Sequence, residues 1–231
     1  MFCQFCGATV PPNVTFCPNC GKEQPPSSVA PQPVVPQVYQ PKANIEVQTG
    51  AWISRGWEVV QPNLGAFALM ALLFAVLSSV VPFILQGSLM AGMHIAAMRY
   101  LMFKRTDVGD LFKGFNYFLP TMIAGLLISV FVFLGTLLCI IPGLVVAAMY
   151  KFTFLFIVDK RMDFWPAMQA SHNVVKGNYF GFTIFLLALV LLNIAGALCC
   201  FVGLLVTLPI SYAAITVAYQ DVVGFEPHAD I

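Results

Sequence analysis

The chain has 231 residues, of which 59% are hydrophobic and only 9% are charged, and its formal net charge at pH 7 is +1. Soluble domains carry about 25% charged residues, so this composition leaves too little polar surface to cover a water-soluble globule of this size. The near-zero net charge also argues against a general attraction to nucleic acid.

Two closely spaced cysteine pairs open the chain, in the segment MFCQFCGATVPPNVTFCPNCG. Cys3 and Cys6 form the first pair, Cys17 and Cys20 form the second, and ten residues separate the pairs. Each pair can sit on a tight turn, called a knuckle. Two knuckles that face each other give a tetrahedral set of four thiolates, which is the ligand set of structural zinc. We therefore predict that residues 1–24 are a zinc ribbon that binds Zn²⁺ through these four cysteines. A redox-active pair without metal is the alternative, and the glycine that follows each pair argues against it.

The predicted ribbon has few charges, since Lys22 is its only basic residue and Glu23 follows it directly. Proteins that bind nucleic acid through such modules carry several Lys and Arg residues, so we expect no nucleic acid and favour a protein partner that docks on the ribbon. No basic segment followed by an apolar run precedes the cysteines, so we expect no signal peptide. Thiolate ligands require reducing surroundings, which places the N-terminus in the cytosol. The segment resembles the short zinc ribbons at the ends of many bacterial proteins.

Residues 25–50 read PPSSVAPQPVVPQVYQPKANIEVQTG and show no helical period. Proline fixes φ and removes backbone donors, so we predict a Pro-rich flexible linker that is extended and semi-stiff. A ligand for a proline-binding groove is the alternative interpretation.

Residues 51–224 are predicted to form an all-α multi-pass membrane domain, and residues 225–231 a C-terminal tail. The first apolar run has 22 residues without a charge, which as a helix spans about 30 Å, the thickness of a bilayer core. The shorter runs leave a re-entrant path open as an alternative to full crossing. We predict about six transmembrane helices, in three hairpins with interfacial helices, over residues 64–85, 88–103, 119–141, 144–158, 180–201 and 204–219.

Charge alternates along these runs in a way that predicts orientation. The breaks within a hairpin carry no Lys or Arg, whereas the connections between hairpins, KRTDVGDLFKG and DKRMDFWPAMQASHNVVKGN, are rich in both. The positive-inside rule then places the charged connections and both termini in the cytoplasm. We therefore expect a protein of the bacterial inner (cytoplasmic) membrane with lipids as partners, and a homo-oligomer is possible. The tryptophans Trp52, Trp57 and Trp165 are predicted to lie in interfacial aromatic belts.

Three ionisable residues within the apolar runs are candidates for special roles. His94 lies mid-run among small residues, and we expect it to be a packed, hydrogen-bonded histidine, with a proton or substrate contact as the alternative. Arg99 and Lys151 follow similar AAM sequences, which suggest internal repetition, and we expect both to snorkel to the interface.

The remaining candidates point to structure rather than catalysis. Asp159, Asp163 and Asp221 are expected to be surface carboxylates that pair with neighbouring Lys or Arg. Cys139, Cys199 and Cys200, near the uncharged hairpin tips, are expected to be buried thiols, and pairing of Cys139 with Cys199 or Cys200 is the alternative. Since no HExxH, GxSxG or paired-carboxylate motif lies in a span, we expect no enzymatic activity.

The membrane region resembles a widespread set of uncharacterised bacterial integral membrane proteins, some of which carry an N-terminal zinc ribbon. The resemblance rests on the segments LGTLLCIIPGLVVAAMYKFTFLFIVD, FWPAMQASHNVVKGNYFGF and LLVTLPISYAAITVAYQDVVG. It also implies a fold similar to the membrane domain fused to some glycerophosphodiester phosphodiesterases. Their catalytic barrel has no counterpart in this sequence, so the resemblance implies no hydrolase activity.

Two functions follow from these observations. The first is a non-enzymatic membrane protein whose cytoplasmic zinc ribbon docks or senses a partner at the end of its linker. The alternative is transport or handling of a small solute or lipid, along a path between hairpins lined by His94 and the proline breaks.

Overall fold

The computed structural model describes residues 6, 18–21, 45–80, 84–199 and 202–226. Helices account for 81% of these described residues, and they contain no β-strand. The chain divides into two compact units, Met1–Gln37 and Val38–Ile231. The predicted all-α class is therefore confirmed for the described part of the second unit.

The described part of the second unit is built from α-helices of 4 to 21 residues. The α-helices are α1 (Thr49–Val60), α2 (Leu64–Val80), α3 (Gln86–Phe103), α4 (Asp110–Lys113), α5 (Phe118–Leu138), α6 (Ile140–Met149), α7 (Thr153–Asp159), α8 (Phe164–Lys176), α9 (Tyr179–Leu198) and α10 (Leu204–Val222). Two of them, α2 and α5, are preceded by 3₁₀ turns at Gln61–Asn63 and Gly114–Tyr117.

Four stretches are long and apolar enough to cross a membrane, judged by length and composition. They are Thr49–Ser79, Asp110–Leu138, Ile140–Asp159 and Tyr179–Leu198. The described residues of the six predicted runs lie mostly in helices, but α3 and α10 do not meet this criterion, so six spans are not confirmed. Both helices carry polar residues along with their apolar ones, which lowers their mean hydropathy.

The two helices that fail the apolarity criterion, α3 and α10, lie at the centre of the bundle together with α7. More than half of the residues of α3 and of α10 are buried, and every residue of α7 is buried. By contrast, α5 buries only Thr121, Ala124 and Gly135, and its outer surface exposes large side chains such as Leu126 and Phe133. Such an apolar outer layer is more extensive than a water-soluble monomer normally shows. The outer helices therefore present the surface suited to lipid.

Close backbone contacts hold the central helices in place. At Gly92 of α3, an added Cβ would lie 2.0 Å from the Leu111 carbonyl oxygen of the α4 segment. At Gly56 of α1, an added Cβ would lie 2.8 Å from the Ala214 backbone nitrogen of α10. Only glycine permits these approaches, which is the way small residues promote helix packing in membranes.

The return helix of each hairpin ends near a residue with positive φ. These residues are Lys104 after α3 (φ 56°), Arg161 after α7 (φ 49°) and Gly224 after α10 (φ 87°). A left-handed residue commonly terminates a helix by turning the chain away from its axis. The shared ending supports the internal repetition suggested by the AAM sequences.

One predicted interfacial residue lies elsewhere. Trp52 is only 1% exposed, and its ring packs against Phe182 and Phe185 of α9, with centroid separations of 6.1 and 5.1 Å. The predicted position of Trp52 in an aromatic belt is therefore wrong, because the indole fills the space where α1 meets α9. Trp57 and Trp165 are exposed, and their position in an aromatic belt stays a prediction.

Candidate functional site

The predicted zinc site is only partly within the described residues, since Cys3 and Cys17 lie outside them. Cys6 and Cys20 are described, and Asn19 Nδ2 donates a hydrogen bond to Cys6 Sγ at 3.7 Å. This contact brings the second knuckle, which contains Cys20, up to the first. Hydrogen bonds of this kind to sulfur are common around metal-bound thiolates, so the described donors fit a thiolate metal site. Among the described residues no group of three or more ligating side chains occurs, and these residues hold only two of the four predicted ligands.

A histidine joins the two central helices in the interior of the second unit. His94 is 2% exposed, its Nδ1 lies 3.0 Å from Thr216 Oγ1, and its ring meets that of Tyr212 edge to face at 5.2 Å. The Thr216 hydroxyl donates to the Tyr212 carbonyl at 2.9 Å. Because a hydroxyl has one proton, this network assigns the Nδ1 proton to His94 as donor. The expectation of a packed, hydrogen-bonded histidine is confirmed.

A small, partly open cavity adjoins this histidine cluster. It measures about 90 Å³, and Lys151 lines it together with Asn193, Ser211 and Tyr212. Asn193 Nδ2 donates to Ser211 Oγ at 2.8 Å, whereas Asn193 Oδ1 is buried and has no hydrogen-bond partner among the described residues. Lys151 lies at the break between α6 and α7, near the middle of the stretch Ile140–Asp159. The structure thus places this lysine against a cavity, which differs from the predicted interfacial anchor.

Three carboxylates lie at the charged end of the bundle: Asp110 and Asp159 are buried, whereas Asp221 is exposed, as predicted. The first is Asp110, which is 1% exposed and forms an ion pair with Arg99 of α3. Lys113 Nζ lies 3.6 Å from the same carboxylate, and the Asp107 backbone N–H donates to it at 3.0 Å. Arg99 therefore connects α3 to the following segment, a role that snorkelling alone does not describe.

The second carboxylate, Asp159 at the end of α7, is fully buried. It accepts hydrogen bonds from the Tyr219 hydroxyl at 2.9 Å and from the Glu226 backbone N–H at 3.0 Å, and Lys160 Nζ lies 3.5 Å away. The predicted pairing with Lys160 is present. The burial is not as predicted, because residues far along the chain cover this carboxylate.

The third carboxylate, Asp221 of α10, receives Arg55 at 2.6 Å and the Trp52 indole N–H at 2.9 Å. Both donors come from α1, so this carboxylate fastens α1 to α10. Asp163 has a different role, since its side chain accepts from the Phe164 N–H at 2.8 Å as the N-cap of α8. A capping carboxylate satisfies a backbone donor that the helix itself leaves unpaired.

The cysteines near the hairpin tips do not follow the prediction of buried thiols. Cys139 and Cys199 are both exposed, and they form no disulfide with each other. Cys200 lies outside the described residues. Both described thiols therefore lie at the surface of the helical unit.

Comparisons with known proteins identify the N-terminal module and a set of relatives that are themselves uncharacterised. Residues 2–24 match the zinc-ribbon domain family. The chain is 31% identical over 121 residues to an uncharacterised protein of Mycobacterium bovis and to uncharacterised proteins of two strains of Mycobacterium tuberculosis. These alignments cover 52% of this chain and 37% of each relative, so the chain spans well under half the length of the curated relatives it matches.

No solved structure is a significant match to the chain. The likeness to the membrane domain fused to some glycerophosphodiester phosphodiesterases stays a prediction, because none of the comparisons tests it. What is established is a zinc-ribbon domain at the N-terminus and a helical unit with four stretches able to cross a membrane.

Proposed function

We propose that the chain is a non-enzymatic membrane protein that holds a zinc ribbon at the cytoplasmic face of a bacterial inner membrane, where the ribbon docks a partner protein. The observation that carries the proposal is the division into two compact units, Met1–Gln37 and Val38–Ile231. The first contains the match to a zinc ribbon, and the second contains the apolar helices. A small polar module attached to a lipid-embedded domain raises the local concentration of whatever it binds.

The proposed membrane domain has six crossings, in which α3 and α10 accompany the four more apolar stretches. Their burial supports this arrangement, because a helix surrounded by protein tolerates polar residues that a lipid-facing helix does not. The hydrogen bond between His94 and Thr216 joins these two helices. The basic residues of the charged connections, such as Lys104 and Lys160, support a cytoplasmic position for this end of the bundle.

In the proposed ribbon, Cys3, Cys6, Cys17 and Cys20 hold Zn²⁺ as thiolates. The ion would supply folding free energy to a segment too small to form a core of its own. Four cysteines leave no open coordination position, so the proposed role is structural rather than catalytic. The scarcity of basic residues in residues 1–24 supports a protein partner over a nucleic acid.

Co-purification in mild detergent tests this proposal. The full chain, a variant lacking residues 1–24 and the single variant Cys20→Ser are compared, with Cys139→Ser as the matched cysteine control. A docked partner is lost from the first two variants and retained by the control. Identical sets of bound proteins in all four samples would contradict a docking role for the ribbon.

Handling of a small solute or lipid is the second candidate, and the cavity beside Lys151 favours it. A charged side chain near the middle of an apolar stretch is costly unless it has a function or a partner. Among the described residues no carboxylate lies within ion-pair distance of Lys151. The small volume of the cavity, about 90 Å³, fits little more than a few water molecules, which is why docking is preferred.

Flux in proteoliposomes separates the two candidates. Under the second candidate, release of an entrapped solute or lipid survives deletion of residues 1–24 and is lost in His94→Ala and Lys151→Met. Under the docking proposal none of these proteins supports more flux than empty liposomes.

A further inference from the structure

A polar cleft of about 410 Å³ opens at the charged end of the bundle, where the turn after α1 meets the end of α3. It shares no lining residue with the cavity beside the histidine cluster, and the proposed docking function makes no use of it. Its lining residues are Asn63, Arg99, Lys104, Arg105, Thr106 and Asp107.

The cleft carries an excess of positive charge that its own carboxylates do not neutralise. Of the three basic residues in the lining, only Arg99 has an ion-pair partner among the described residues, and that partner, Asp110, is shared with Lys113. Lys104 and Arg105 are exposed and have no carboxylate within ion-pair distance in the described chain. These two consecutive cations are therefore available to an anionic ligand.

Two buried donors in the same lining also have no partner. Arg99 Nε and Thr106 Oγ1 are both buried without a hydrogen bond in the described residues. Buried polar groups are nearly always hydrogen-bonded in folded proteins, so two such groups in one cleft point to a ligand that accepts from them. A phosphate group has the required acceptor oxygens, and its geometry suits the guanidinium donors of arginine.

The cation–π contact of Lys104 does not compete with this use of its charge. Lys104 Nζ lies 5.2 Å from the centre of the Tyr100 ring, which orients the ammonium group and leaves its outer donors available. The C-terminal end of α3 contributes an opposing negative potential. Lys104 and Arg105 together outweigh it, because the effect of a helix end equals about half a charge.

We propose that this cleft binds a phosphate group, with Arg99 Nε and Thr106 Oγ1 as hydrogen-bond donors and Lys104 and Arg105 as the neutralising cations. Two sources supply this chemistry: the headgroup of an anionic phospholipid and a free phosphate compound. The cleft lies at the end of helices that reach the membrane boundary in the proposed arrangement, so both sources have access to it.

Native mass spectrometry of the full chain in detergent measures the lipid source. Phosphatidylglycerol and phosphatidylcholine are added in equal amounts, and retention is compared for the wild type, Arg105→Gln and the control Lys176→Gln. Lys176 is an exposed lysine at the end of α8, outside the cleft. Removing one cation from the cleft is expected to lower preferential retention of phosphatidylglycerol about fivefold, the contribution of one Lys or Arg near an anionic surface.

Thermal shift measures the free-phosphate source. Inorganic phosphate is titrated against chloride at constant ionic strength, with the same three proteins and with Lys104→Gln as a second cleft variant. Binding raises the melting temperature of the wild type and of Lys176→Gln, and it raises that of the two cleft variants less. A positive result in either experiment supports the phosphate site and identifies its source.

The proposal is overturned if the wild type shows neither preferential retention of phosphatidylglycerol nor a phosphate-dependent shift. It is equally overturned if Lys176→Gln loses as much binding as Arg105→Gln, because the anion would then respond to general surface charge. Both cleft substitutions are at exposed side chains, so both variants are expected to fold. Elution of each variant as a single species in size-exclusion chromatography checks this.

Discussion

Substitution of Gly92 by alanine tests the close packing of α3 directly. The added Cβ would lie 2.0 Å from the Leu111 carbonyl oxygen and 2.7 Å from its carbon, whereas ordinary contact begins at 3.4 Å. Both atoms belong to the backbone, so no side-chain rotation relieves the clash, and α3 must move away from the α4 segment. Overpacking costs about 1–3 kcal/mol, and the better helix propensity of alanine returns about 0.5–1 kcal/mol.

We expect a net loss of about 1–2 kcal/mol in the free energy of unfolding for Gly92→Ala. For a chain of this size, that loss corresponds to a decrease of about 2–8 °C in melting temperature. The assay is thermal unfolding of the detergent-solubilised protein at a fixed scan rate. Gly65→Ala is the matched control, because Gly65 is also in a helix and an added Cβ there meets nothing within 4 Å.

The control is expected to melt at the wild-type temperature or slightly above it. The packing argument would be refuted if Gly92→Ala and Gly65→Ala melted within about 1 °C of each other, a smaller separation than 1 kcal/mol produces.

Two further predictions concern metal and buried charge. Zinc content, measured by elemental analysis, is expected to fall from one ion per chain to well below one in Cys20→Ser. In the control Cys139→Ser it is expected to stay at one. Equal zinc content in the two variants would contradict the four-thiolate site. Asp159→Asn is expected to lower stability by about 1.5–3 kcal/mol, since hydrogen bonds to a charged group are lost. Asp163→Asn is the control, because asparagine caps a helix as well as aspartate does. Equal melting temperatures of the two variants would show that the buried carboxylate of Asp159 contributes nothing to stability.

Local hydropathy was enough to predict most of the helices. The apolar run at 119–141 corresponds to α5, and the run at 204–219 lies within α10. Helices of this kind are set by long uncharged stretches and by the charged or glycine-containing segments that end them. The cysteine spacing likewise predicted the module that the family match supports.

Features that depend on distant contacts were not predictable in this way. The fourth run divides at 150–152 into α6 and α7, although its composition is continuous with that of a single helix. Asp159 has the sequence context of a surface carboxylate, and only the folded chain brings Tyr219 to it. The burial of Trp52 was also not predictable from the local sequence, because its indole is covered by α9 and α10, which lie far along the chain.

The central claim is that the helical unit lies in a membrane with its charged end in the cytosol. Labelling of intact cells with a membrane-impermeant maleimide tests it most directly. The account predicts that Cys139, at an uncharged tip, reacts from outside. A cysteine introduced as Lys176→Cys, in a chain lacking the tip cysteines, is predicted to react only after permeabilisation. Labelling of Lys176→Cys in intact cells, or recovery of the protein in the soluble fraction without detergent, would contradict the account.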